Sequence, residues 1–248
     1  MYSNTGLNKM STEDIKFGRI EIYDRRDDDY PAGTFLAALP NLQLSSRYWY
    51  CNGWTGDQGS SNHCTAYSWL AYLHDGPIVQ ESFAQKPMYN PKALYDKFQE
   101  NDGIIKRSYE GSTVRAGAKV LKKLGFIKEY RWTRNIDEIT KALLVFGPVI
   151  VGSHWYSDML KTDSNGKVEF SGRNIGGHAY ILNGVDVNKN LYRIKNSWGR
   201  RWGIQSHGFI DINDFERLIA PGGEICIPLE SQMNYIPDLN SVISEDVP

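Results

Sequence analysis

Cysteine is scarce in this chain and follows no pattern. Only Cys51, Cys64 and Cys226 occur, an odd number with no CxxC spacing, which argues against a disulfide framework or a structural zinc site. Neither sign of charge is in excess: Lys and Arg number 28 against 29 Asp and Glu, a formal net charge of −1. Such a chain has no electrostatic case for a nucleic-acid or acidic-membrane partner. Long apolar runs are also missing from the opening MYSNTGLNKMSTEDIKFGR, so neither a signal peptide nor a membrane anchor is expected there. Together these absences suggest a reducing compartment, cytoplasmic, or a particle such as a virion assembled in one. At 248 residues the chain can bury about three quarters of its unfolded surface without a disulfide to hold it.

What is present is a change of period part-way along. Asp24 to Asp29 form a charge cluster ahead of Tyr30-Pro31 and read as a solvated loop. Asp57 to Leu73, DQGSSNHCTAYSWLAYL, runs from a polar turn into an amphipathic helix. A second helix is expected from Asn90, with Asn90 as cap and Pro91 in the first turn, and a third after Gly111 and Ser112 as far as Gly125. A fourth spans about Asn135 to Phe146 and stops at Gly147-Pro148. Beyond Pro148 come short apolar runs, VIVGSHW, KVEF, HAYILNGV, LYRIKNSW and GFIDI, separated by Gly, Asn and Asp turns, as in an antiparallel sheet or partial barrel. The expected class is α+β, with the site in a groove between two lobes. The expected division is an N-terminal extension over residues 1–47, a helical lobe over 48–130, a β-rich lobe over 131–228 and an extended tail over 229–248.

Cys64 stands where the polar turn meets its helix. A thiol in a first helical turn feels the positive end of the macrodipole and unpaired N–H groups, both of which favour thiolate. A thiolate nucleophile needs a base within reach, and the base needs a third group to fix its tautomer. His178 opens an apolar strand after Gly176-Gly177, and Asn196 lies in KNSWGRRWG beside Trp198 and Trp202, where an amide can orient an imidazole while shielded from water. Gln58 precedes Cys64 closely enough for its side-chain NH₂ to join the Cys64 N–H as an oxyanion hole.

DQGSSNHCTA, GGHAYILNGVD and YRIKNSWGRRWG resemble the three active-site blocks of the papain-like cysteine proteases, the cathepsin family, over about residues 40 to 215. The resemblance implies a papain-like two-lobe fold. It makes Cys64 the nucleophile, His178 the general base and acid, Asn196 the orienter and Gln58 the oxyanion donor. Trp198 would shield the Asn–His bond, and Trp202 would line the leaving-group side. Gly111, Ser112, Gly152, Gly176, Gly177 and Ala179 would border the substrate, leaving a low-walled pocket for a bulky apolar or aromatic side chain. The implied activity is endopeptidase hydrolysis of peptide or protein substrates through a Cys-His-Asn triad and an acyl-thioester, with no cofactor and no metal.

The chain departs from that pattern in places. Thr65 follows the nucleophile where an aromatic residue is usual, as in a CTA-type bacterial or phage-like branch. The intervals from Cys64 to His178 and Asn196 are shorter than the roughly 130–150 residues of the mature plant and lysosomal enzymes, so trimmed loops are expected. Fewer than about 60 residues precede the active-site turn, so no long inhibitory propeptide is expected, and control is expected to come from elsewhere or to be unnecessary. His63 has no counterpart in the pattern; it is expected to point away from the turn, the rival being a proton partner for Cys64. An alternative reading is a catalytically idle papain-like module serving as a structural or binding component of a larger assembly such as a virion.

Overall fold

The computed structural model describes residues 15–22, 25–37, 46–50, 53–77, 90–103 and 110–230. Its helices are α1 (Gly33–Ala37), α2 (Cys64–Asp75), α3 (Pro91–Asn101), α4 (Val114–Lys123), α5 (Ile136–Val145) and α6 (Ile212–Ile219). Its strands are β1 (Arg47–Tyr48), β2 (Ile127–Thr133), β3 (Val149–Tyr156), β4 (Asn174–Asp186), β5 (Leu191–Lys195), β6 (His207–Asp211) and β7 (Glu224–Glu230). All seven strands join one sheet in the order β2-β7-β3-β4-β5-β6, with β1 on β4, and every pairing is antiparallel. The fold is α+β, with helices packed on an antiparallel sheet.

Side chains alternate between the two faces of a strand, and here both faces are covered. In β3, Val149 and Val151 pack with α5 and α6, while Ile150 faces the other way. In β4, Tyr180 and Leu182 take the first face, and Ala179 and Ile181 meet α2. Two-sided burial explains why VIV and AYIL read as continuous apolar runs instead of alternating ones. The second core gathers α2, α3 and α4 around Trp69, Tyr72, Phe98 and Leu121. Helix α2 is its axis: every residue but Tyr67 is buried, as befits a helix enclosed on all sides.

Local chemistry sets the helix starts. Asn90 accepts a hydrogen bond from the Lys92 N–H, Thr113 from Ala116, and Asn135 from both Asp137 and Glu138, each satisfying a first-turn donor. The fourth expected helix thus begins after Asn135, and the second follows Asn90-Pro91 as its cap predicts. The charge cluster is more than a solvated loop: residues 25–29 form a 3-10 turn, and Asp27 pairs with Arg115 of α4 at 2.9 Å. KVEF is not a strand but makes isolated bridges, Thr162 to Val168 and Lys167 to Phe209. β2 crosses the expected boundary at 130/131, and β7 runs two residues into the expected tail. Cys51 and residues 231–248 lie outside the described residues. Among the described residues, no helix is long and apolar enough to cross a membrane.

Candidate active site

The loop before α2 and the loop after β5 are tied together by backbone bonds. Gln58 N–H donates to the Ser197 carbonyl at 2.8 Å and Gly199 N–H to Gly56 at 2.9 Å. This pairing joins the first and third sequence blocks. The second arrives on β4, whose Ala179 backbone hydrogen-bonds the Cys64 thiol. Cys64 opens α2 behind His63, whose side chain makes no capping bond, so the thiol sits where first-turn N–H groups and the helix dipole converge.

His178 donates from Nε2 to Asn196 Oδ1 at 2.9 Å. The same oxygen accepts the Ser197 N–H at 2.7 Å. A carbonyl oxygen can only accept, so Nε2 carries the proton and a neutral ring leaves Nδ1 bare. Nδ1 is buried and has no hydrogen-bond partner. The imidazole lies among aromatic rings: Trp198 at 4.9 Å and tilted, Trp155 at 5.0 Å edge-on, Phe17 at 5.8 Å edge-on and Tyr180 at 6.0 Å stacked. Trp202 stands behind Trp198, 6.0 Å from it and perpendicular.

Gln58 is held from both ends. Its Oε1 accepts from Ser197 Oγ at 2.6 Å, and its Nε2 donates to the carbonyls of Ser61 at 2.9 Å and Lys16 at 3.0 Å. His63 packs on Tyr95, ring centroids 4.2 Å apart.

The Lys16 contact belongs to a feature that sequence reasoning missed. Residues 15–22 cross the cleft without forming a strand of the sheet. Arg19 N–H donates to the Gly177 carbonyl at 3.0 Å, Ile20 N–H to Ser112 at 2.9 Å, and Ser112 N–H to Gly18 at 2.8 Å, with Arg19 and Ser112 in a parallel bridge. The Gly18 backbone hydrogen-bonds the Cys64 thiol. A side chain on Gly18 would run into the Asn62 carbonyl, so only glycine lets the segment lie this close. A Cβ added to Gly111, Gly152, Gly176 or Gly177 would strike this segment too. The glycines expected to border a substrate, with Ser112, thus border residues 17–20. Within the expected N-terminal extension, residues 17–20 thus occupy the cleft.

Burial shifts both titratable groups toward neutrality. Burial pushes the Cys64 thiol up, and bonds from the Ala179, Gly18 and Thr65 backbones offset part of that rise. Burial also depresses the His178 imidazole to about 4, against the opposing bond to Asn196. Burial of both groups thus works against the thiolate–imidazolium pair expected from the sequence, because the charged forms are denied solvent. Among the described residues no cluster of His, Cys, Asp and Glu could hold a metal ion.

Residues 43–220 match the model of the family described as papain family cysteine protease. Curated relatives include an uncharacterized peptidase C1-like protein of Acanthamoeba polyphaga mimivirus, 25% identical over 197 residues, 61% of this chain and 62% of that protein. Another is the cathepsin B-like cysteine proteinase 6 of Caenorhabditis elegans, 30% identical over 112 residues, 44% of this chain and 27% of that protein. The chain thus spans less than two thirds of either relative's length. Among solved structures, xylellain, a cysteine protease from Xylella fastidiosa, superposes with a TM-score of 0.62 at 20% identity, covering 87% of this chain and 96% of that one. A digestive procathepsin L2 proteinase from Tenebrio molitor larval midgut gives 0.58 at 18% identity, covering 89% and 81%. These likenesses extend the fold over most of the chain, and the family match runs through all three sequence blocks: the chain belongs to the papain family of cysteine proteases.

Proposed function

We propose that the protein is a cysteine endopeptidase, described here with its cleft closed by residues 15–22. The carrying observation is the segment itself. An extended peptide lies over the Cys64 thiol, paired by its backbone to Ser112 on one side and Gly177 on the other, with the Lys16 carbonyl on Gln58 Nε2. A cleft that holds one peptide in this way is shaped for others.

In the mechanism, residues 15–22 first leave and water reaches the cleft. Rehydration restores the charged forms, and His178 Nδ1 takes the Cys64 proton while Asn196 holds Nε2. The thiolate sulfur attacks the substrate carbonyl carbon. The developing oxyanion accepts from Gln58 Nε2 and the Cys64 N–H, in the way Lys16's carbonyl accepts from Gln58 now. His178 returns its proton to the leaving amine, giving an acyl-thioester that water, deprotonated by the same ring, then hydrolyses. Trp198 keeps bulk water off the His178–Asn196 bond.

The test is incubation of the purified chain with an unfolded protein, followed by identification of new termini by mass spectrometry. Wild type should generate them and Cys64→Ala should not. Equal cleavage by both proteins would refute the assignment of Cys64.

A further inference from the structure

Tyr180 and Trp198 each lie nearly parallel to the His178 imidazole, at 27° and 30°, with centroids 6.0 and 4.9 Å away. Trp155 stands across all three rings. It crosses His178 at 78°, Tyr180 at 75° and Trp198 at 76°, with centroids 5.0, 5.3 and 5.3 Å apart. A ring that meets several near-parallel rings at right angles lies against their edges, the edge-to-face contact that aromatic quadrupoles favour. Phe17 also crosses His178, at 90°, but it belongs to residues 15–22 and leaves with them. Trp155 is part of β3 and stays.

The sheet register brings the indole to the imidazole. Trp155 on β3 is opposite Gly176 on β4, and Ser153 is opposite His178, so Trp155 and His178 are diagonal neighbours on one face. Gly176 has no side chain to take up the space in front of Trp155, and the indole can lean along β4 toward His178. Tyr180 is held in turn by its hydroxyl, 3.1 Å from Ser153 Oγ. The Trp155 ring is fully enclosed, and its Nε1 finds no hydrogen-bond partner among the described residues. A buried N–H without a partner is unfavourable, so a residue needed only for its volume would be better as Phe or Leu. The imidazole itself has one hydrogen bond, from Nε2 to Asn196 Oδ1 at 2.9 Å, with Nδ1 unpartnered. A ring held at one nitrogen can swing about that bond, and a neutral imidazole that loses its acceptor can carry its proton on either nitrogen.

We propose that Trp155 is a positioning residue for the catalytic imidazole: the indole, laid across the edges of His178, Tyr180 and Trp198, holds the ring so that Nε2 stays on Asn196 and Nδ1 is kept for Cys64. The proposal rests on the protease reading for its effect on turnover, though not for its effect on the ring. Trp155 acts through His178 alone and has no part in substrate binding. Its loss should therefore lower kcat by up to roughly 100-fold, the cost of a catalytic group displaced by about 1 Å, and leave KM nearly unchanged.

The experiment uses the full chain with isotope-labelled histidine, as wild type, Trp155→Phe and Trp155→Leu. At neutral pH burial keeps His178 uncharged, and the nitrogen chemical shifts report which ring nitrogen carries the proton. Wild type should show a single Nε2–H tautomer at His178. Trp155→Phe keeps a ring but shortens it and should show a minor Nδ1–H population; Trp155→Leu should show a larger one. His74 and His207, which pack on Trp54 and Tyr50 instead, should keep their wild-type signals. A general loosening of the core would move all three histidines, whereas lost positioning moves His178 alone. Turnover of an unfolded protein should fall in the same order as the tautomer mixture grows. Should Trp155→Leu fail to fold, Trp155→Phe decides the matter by itself. A wild-type tautomer at His178 in the folded variants, equal changes at all three histidines, or a loss confined to KM would overturn the proposal. Cleavage by variants whose His178 tautomer matches wild type defeats the inference alone. A tautomer shift in proteins that cleave nothing defeats the protease reading and leaves the positioning of the ring standing.

Discussion

Gly18→Val should open the cleft. In the closed arrangement a Cβ at residue 18 meets the Asn62 backbone carbonyl, which belongs to the turn leading into α2 and cannot swing aside like a side chain. Valine adds two methyl groups beyond that Cβ. Forcing such volume into a packed contact costs about 1–3 kcal/mol. Holding the segment are the backbone bonds at Gly177 and Ser112 and the Gln58 bond to Lys16, each contributing about 0.5–1.5 kcal/mol net. The penalty is therefore comparable to a large part of what keeps the cleft shut. A shift of about 1–3 kcal/mol changes the open fraction roughly 5- to 150-fold. Alkylation of Cys64 proceeds only from open molecules, so its rate should rise by that factor. The assay is timed iodoacetamide labelling at neutral pH, with peptide mapping to separate Cys64 from Cys51 and Cys226, and a thermal melt to show that the fold persists. A Gly18→Val protein labelled at Cys64 no faster than wild type would refute the closure argument.

Three further outcomes are expected. Gln58→Ala removes both the donor to Lys16 and the proposed oxyanion donor, so Cys64 should label faster while cleavage falls roughly 10²- to 10³-fold; labelling and cleavage moving together would refute the dual role. His74, His178 and His207 are each depressed to about 4 by burial. The unfolded chain therefore binds more protons than the folded one between about pH 6.5 and 4, and stability should fall on acidification through that window by up to about 1.4 kcal/mol per pH unit for each histidine. Asp75 and Glu224, raised by burial, offset part of this loss; a Tm that holds or climbs from pH 7 to 5 would contradict the histidine burial. Lys195→Met leaves Asp75 without its ion-pair partner, now at 2.6 Å with both side chains fully enclosed, and should cost about 3–5 kcal/mol in chemical denaturation. A loss below about 1 kcal/mol would refute that pair's role.

The parts of the site that lie within contiguous blocks were legible from the sequence. Cys64 follows a polar turn into a helix, His178 follows two glycines into a strand, and Asn196 stands between an apolar strand and two tryptophans, so each announces its surroundings locally. The contribution of Trp155 was not legible, because its ring reaches His178 only through the register of β3 on β4. Residues 15–22 gave no local sign of their place, since an extended segment in a cleft is selected by pairing with Ser112 and Gly177, far along the chain. Glu224 was hidden for the same reason: β7 was not recognised, and only its pairing opposite Gly152 brings the glutamate to Arg19. α6 escaped notice because it starts directly from β6, with Asp211 closing the strand and capping the helix through the Asn213 N–H at 2.9 Å. β2 was missed because IKEYRWT buries only Ile127 and Tyr130 fully, too weak an alternation to stand out.

The most direct test of a thiol protease held closed by its own N-terminal segment is the rate at which an unfolded protein is cleaved by wild type, by Gly18→Val and by Gly18→Val combined with Cys64→Ala. Cleavage should rise with Gly18→Val by roughly the factor seen in Cys64 labelling and vanish in the double variant. A Gly18→Val protein whose Cys64 labels rapidly, yet which cuts nothing, would contradict the account and return the chain to the reading of an idle papain-like module.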